Sequence, residues 1–401
     1  MSLRNLNRCD LYVLIWGIYM MNGILYPTGI INIVLQFILL AWALCVSLRY
    51  LLLVKGKPAL LNITFLLVLM YVIYGSIYML FGEKYVIIGL DTSPSRYGYL
   101  QNALNSLLPI YLFYDYSKRK FLTEQRIKLY FGFFLLIYIV LFWKNYNEML
   151  ILTATMGEDR DEFTSNIGYR FLILFPFLYF WNKRTIFQYV AMAILFLFIL
   201  MGMKRGAILI GSICFIFFIY HNWNNTKQFR NKLIIILSTL ALFSGIVYYV
   251  QTMLETSDYF VSRIEQTLDG NSSGRDIIYS KIKTAILEEP SSLKLIFGHG
   301  ANSTIAFAGN YAHQDWLEIA CNNGLIGVII FALFFVVFYV SVVKSRRTCP
   351  KYISNAFFIL FLICLCKSMF SMSIQNMAIA QTLLIGYSIY VLNLQTKYHI
   401  V

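Results

Sequence analysis

The residues able to do chemistry gather in the one long stretch of this chain that is not apolar, 262–327. It contains SRIEQTLDGNSSGRDIIYSKIKTAI, then LIFGHGANS, then AHQDWLEIACNNGLIG. Arginine presents a planar fork that pairs two phosphate oxygens at once, and the pairing strengthens where water is partly excluded. Arg275 follows Asn271-Ser272-Ser273-Gly274, a turn that should open a helix, and a helix N-terminus adds backbone N–H donors for an anion. Arg205, beside Lys204, starts KRGAILIG, Arg170 starts RFLILFPFLYF, and Arg263 opens the polar stretch. Several such cations on one face suit a polyanion, most simply a diphosphate. His313 leads HQDWLE, and a neutral imidazole can take the proton of an attacking hydroxyl. Asp315 and Glu318 follow closely enough to orient it, to contact substrate or to compete for its role.

Each residue also has a plainer reading. A single arginine near a span end can snorkel to lipid headgroups, and a lone loop histidine is usually just polar. His299, between glycines in FGHGAN, suits a turn, and this is not a dinucleotide fingerprint because no strand-then-helix unit surrounds it. Lys367 falls toward the outer end of an apolar segment, where snorkelling explains it as well as function does. His221 and His399 fall on the opposite side from His299 and His313. Seven cysteines show no CxxC pair and no metal-ligand spacing, so free, buried thiols are expected, with no metal site and no cofactor.

The elements that must position these groups are membrane spans. The chain has 401 residues, 59% hydrophobic and 13% charged, with mean hydropathy +0.66. At about 20 residues per crossing, apolar stretches lie near 11–26, 29–53, 59–81, 97–115, 127–143, 167–182, 185–202, 205–221, 232–252, 322–343, 352–373 and 376–393. The expected fold is all-α: a polytopic membrane bundle of about twelve spans, one domain over 1–401, with a long outer loop at 253–321. The 17% aromatic content suits rings at two membrane interfaces rather than base stacking.

The net charge of +14 becomes a topological signal once mapped. With the N-terminus inside, the inner segments collect most of the 33 Lys and Arg and, of the 19 acids, only Asp10, Asp115 and Glu124. Both termini are then cytoplasmic, and nucleic acid is not needed to explain the charge. The cations left outside, Arg170, Lys204, Arg205, Arg263 and Arg275 among them, are expected to converge on one outward-facing cavity.

KRGAILIG, the SGRD helix start, the GxG turn after LIF, and HQDWLEIACNNGLIGVIIF together resemble the O-antigen polymerase and ligase superfamily over about 205–331. The family usually has His-Asn where this chain has His313-Gln314. The resemblance implies a helical enzyme of the cytoplasmic (inner) membrane whose reaction proceeds on its outer side. Such an enzyme joins a sugar chain carried on undecaprenyl diphosphate to an acceptor sugar, without nucleotide sugar or metal. It implies that Arg205 and Arg275 hold the diphosphate and that His313 is the base or positions the acceptor. Arg170 is a weaker match.

The HxDWLE form and the span beginning at Asn166 look more like the polymerases, which add lipid-linked repeats to a growing chain and can work with a chain-length regulator. The ligases, which move a finished chain to lipid A core, are the alternative. A flippase for lipid-linked oligosaccharide would also need a basic cavity, but no internal repeat or broken helix pair is legible. A membrane glycosyltransferase with an acidic pair after its first span is disfavoured, because that loop, 26–29, lacks an acid.

Overall fold

A computed structural model describes residues 6–25, 29–53, 57–87, 93–155, 166–181, 185–202, 204–256, 261 and 274–398. The helices are α1 (Arg8–Leu25), α2 (Ile30–Leu53), α3 (Ala59–Phe81), α4 (Gly98–Lys118), α5 (Glu124–Thr155), α6 (Ile167–Leu172), α7 (Thr185–Met201), α8 (Arg205–Asn225) and α9 (Phe229–Thr256). After the described chain resumes come α10 (Arg275–Leu287), α11 (Ser292–Phe297), α12 (Ser303–Ala308), α13 (Asp315–Thr348), α14 (Lys351–Phe370) and α15 (Ile379–Tyr398). Of the twelve apolar stretches, eleven each fall on a single α-helix among the described residues. Among the described residues, seven helices are long and apolar enough to cross a membrane: α2, α3, α5, α8, α9, α13 and α14. This is a polytopic helical membrane protein.

The helices form two compact units. The first takes Met1–Tyr19, Thr28–Thr123 and Gly274–Val401. Its centre is α4, which packs on α2, α3 and α15 and is buried almost all round from Ser106 to Tyr114, as a helix that is apolar on every face must be. Close approach is set by Gly386 of α15, where a Cβ would come within 2.7 Å of the Ile110 carbonyl oxygen and 2.8 Å of the Tyr114 nitrogen. Without a hydrophobic effect between helices in lipid, such backbone contact supplies the attraction by dispersion.

The second unit takes Met20–Pro27 and Glu124–Ser273. The apolar stretch expected as one span at 167–182 is instead α6 followed by a 3-10 helix, Phe175–Trp181. Pro176 explains the change: lacking an N–H, it cannot bond back to Leu172, and the chain tightens to i→i+3 bonds such as Phe177 N to Leu174 O at 3.1 Å. Aromatic rings hold this broken segment. Phe171 stacks on Phe198 at 4.6 Å and 7°, and Phe142 meets Phe198 edge-on at 4.9 Å. Phe142, Phe171, Phe175 and Phe177 are fully buried, so the aromatic content fills helix packing as much as any interface.

Candidate functional site

The motif end of the first unit is built on a broken helix. α13 starts at Asp315, seven residues before the apolar run expected at 322, and its path breaks at Gly324, where φ is 61° and ψ −159°. That region of backbone space is open essentially to glycine alone. A break orphans the carbonyls of the preceding turn, and in a membrane these must find partners. The Gly298-His299-Gly300 turn supplies them: His299 N donates to Cys321 O at 2.9 Å and Gly300 N to Asn322 O at 3.0 Å. Both backbones must be bare, because a Cβ on Gly298 would sit 2.5 Å from the Asn322 carbonyl and one on Gly324 2.4 Å from Gly298 N. From α3, Tyr74 donates its hydroxyl to Phe297 O, and from α4 Tyr99 donates to Asn323 Oδ1 at 3.2 Å.

His299 is held in this turn. Its Nε2 lies 2.9 Å from Glu289 Oε2 and its Nδ1 3.4 Å from Cys321 O. The hydrogen bond to His299, helped by Ser291 N–H, holds the Glu289 carboxyl below the usual carboxylate range.

His313 stands just before α13 with φ 52°, a left-handed conformation uncommon outside glycine. A buried carboxylate holds the residue before it. Glu318, 2% exposed, accepts from Ala312 N at 2.8 Å, Thr304 Oγ1 at 2.7 Å and Asn322 Nδ2 at 3.0 Å. One carboxylate thereby ties α12, the residue before His313 and the last turn before the break. Asp315, equally buried, accepts from Ser373 N at 2.7 Å and Ile374 N at 3.2 Å. Of the two acids expected at the substrate, Glu318 engages both oxygens and Asp315 its Oδ2 with the protein's own groups.

Lys367 is not a snorkelling residue. It is 5% exposed, in the last turn of α14, with its ammonium 3.3 Å from Asn376 O and within electrostatic range of Asp315. The end of α14 and the segment after it form a meeting point: they take Arg275, whose Nη1 donates to Phe370 O at 3.2 Å, Asp315 at Ser373 and Ile374, and Lys367 at Asn376. Arg275 is half-buried at the first position of α10, after Gly274 with φ 73°. On α10 Ile278, Ile282 and Ile286 recur every fourth residue and pack against Ala308, Ala312, Leu317 and Cys321. One apolar contact thus joins the helix begun by Arg275 to the residue preceding His313.

In the second unit Arg170, Lys204 and Arg205 share one corner. A Cβ on Gly168 would lie 3.3 Å from that of Ala207 and 3.8 Å from that of Lys204, and one on Gly202 would lie 3.2 Å from Gly168 N. The short helix bearing Arg170 is thereby pressed against the end of α7 and the start of α8. Arg263 lies outside the described residues. Among the described residues, no group of three His, Cys, Asp or Glu side chains stands where it could hold a metal ion. The polar SMSIQN stretch between α14 and α15 and the Tyr74 and Tyr99 hydroxyls were missed by sequence reasoning. Only SMSIQN carried a signal, a polar run between spans.

A helical membrane protein with a glycine-broken helix and a fixed histidine at its mouth, and with arginines opening two other helices, is the class defined so far. Residues 190–332 match the family model described as O-Antigen ligase, which supports the O-antigen polymerase and ligase superfamily. The match holds Lys204, Arg205, Arg263, Arg275, His313, Asp315 and Glu318, and leaves Arg170 outside. No curated protein matches the chain.

Proposed function

We propose that the protein polymerises oligosaccharide repeat units carried on undecaprenyl diphosphate, on the outer face of the cytoplasmic membrane and with both termini inside. The acceptor hydroxyl oxygen attacks the anomeric carbon of the donor sugar. The bond from that carbon to the diphosphate oxygen breaks, His313 receives the hydroxyl proton, and undecaprenyl diphosphate leaves, with inversion at carbon. Arg205 and Arg275 hold the diphosphate, on which charge grows as it departs. Arg170, Lys204 and Arg263 add cationic contacts to the bound lipid head. Asp315 and Glu318 position the start of α13.

The observation that carries this reading is the left-handed His313, fixed through Glu318 and Ala312 within the matched region. A settled backbone position is what a base acting on one hydroxyl builds on. The family description favours one second reading, ligation of the finished chain to lipid A core.

His313→Ala separates the two. In a polymerase, single lipid-linked repeats still form and a separate ligase still uses them, so surface glycan shrinks to one repeat per core. In a ligase, long chains accumulate on undecaprenyl diphosphate and the surface shows bare core. A gel of surface glycan beside extracted lipid-linked sugar reads both. A normal ladder removes His313 as base. Normal pools after deletion of the gene, with no other copy present, overturn glycan transfer and return the flippase reading.

A further inference from the structure

α11 is an apolar helix with no buried residue: Leu293 is 67% exposed, Leu295 42%, Ile296 39% and Phe297 50%. Exposed apolar side chains this contiguous mark a surface that water does not cover. The depth of the segment follows from its anchors. Tyr74, whose hydroxyl reaches Phe297 O, stands about 10 Å below the end of α3, counting from Phe81 at about 1.5 Å per residue. Asn322, whose carbonyl receives Gly300 N, stands where the apolar run of α13 begins. Both helices are long and apolar enough to cross a membrane. The Tyr74 tie therefore sets the end of α11 inside the level at which α3 ends, and Asn322 sets the following turn where the apolar run of α13 begins.

We propose that residues 292–300 form a re-entrant element: α11 lies in the bilayer, with its exposed Leu293, Leu295, Ile296 and Phe297 covered by lipid acyl chains. Backbone at that depth must be satisfied within the protein. Much of it is: Gly298 N donates to Lys294 O at 2.7 Å, Phe297 O accepts from Tyr74, and His299 N and Gly300 N cap the carbonyls freed by the break at Gly324. Charge fits the same placement. Lys294, 57% exposed at its side chain, keeps its ammonium 3.5 Å from Glu289 Oε2, so an aliphatic stem can lie in lipid while the charged end stays beside the carboxylate.

The test uses the full chain in vesicles of phosphatidylethanolamine and phosphatidylglycerol, doped with a phosphatidylcholine carrying a diazirine midway along one acyl chain. After irradiation, peptides are read by mass spectrometry. Expected are adducts at 293–297 at a yield within about threefold of those at Ile73 and Ile77, exposed on α3, with less than a tenth of that yield on the α10 face bearing Lys281 and Lys283. Labelling of α3 with none at 293–297 overturns the proposal. A second arm places p-benzoylphenylalanine at Leu295: a lipid adduct supports it, and a cross-link to another copy of the chain or to a different protein overturns it.

Discussion

The two units handle polarity in opposite ways. In the first, Asp315, Glu318 and Lys367 are driven into the interior and each is met by protein groups, so that carboxylates and a helix break define the shape of the backbone. In the second, the described interior is a stack of aromatic rings around Phe171 and Phe198, and Arg170, Lys204 and Arg205 stand at helix ends, on α6 and at the start of α8. A buried polar network fixes geometry because each unpaired member costs the full desolvation of its group, whereas ring packing tolerates small shifts. The first unit is thus suited to hold the backbone beside His313 in one place. The second is suited to present cations on a firm but less finely tuned base.

Glycine substitution should break this contrast most severely. Gly324→Ala forces a side chain into a conformation costing about 1–3 kcal/mol by itself, on top of a 2.4 Å contact with Gly298 N. Loss of the protein from the membrane fraction is expected. In the second unit Gly132→Ala and Gly245→Ala meet nothing within 4 Å. These should raise stability, by at most about 1 kcal/mol. Equal accumulation of Gly324→Ala and the two controls would remove the helix break as an organising feature.

Next in size are the arginines. Arg205→Ala and Arg275→Ala should each lower transfer by about a hundredfold, the loss typical of one transition-state donor, with insertion unchanged. Lysine should restore little at a two-oxygen contact. Full transfer by Arg275→Ala would reduce it to its tie with Phe370.

Glu318→Gln tests the positioning claim. The amide replaces an oxygen with an NH2 group and turns one of three donors against another, a cost of about 1–3 kcal/mol. Transfer should fall about tenfold at saturating donor, with little change in the donor concentration needed for half-maximal rate. A change confined to that concentration would mean that Glu318 touches substrate.

The smallest effect concerns pH. Because the fold holds Glu289 below its ordinary value, its contribution is complete above the usual carboxylate range and is lost as pH falls through the lowered value. Amide exchange at His299 and Gly300 should therefore quicken, relative to α13, on acidification below about pH 4. Glu289→Gln should abolish that dependence. Unaltered dependence in the variant would assign it elsewhere.

Local pattern was enough to find where the chain is helical, because a span must satisfy its backbone within itself and advertises that by a long apolar run. It also set 262–327 apart as polar between apolar runs, while the roles proposed for His313, Arg205 and Arg275 rest on the family resemblance and await their tests. The same pattern misread the span at 167–182, split by Pro176, and it did not show that α13 begins at Asp315 or that Lys367, left open between lipid and function, turns inward. Each depended on a partner far along the chain or on backbone geometry. Glu318 needs Thr304 and Ala312, Asp315 needs Ser373, and Gly324 needs the bare backbone of Gly298. Apolar periodicity records which residues avoid water, and it is local. Whether a buried carboxylate faces a substrate or a backbone N–H is decided by which segment is folded against it, and only the tertiary structure contains that.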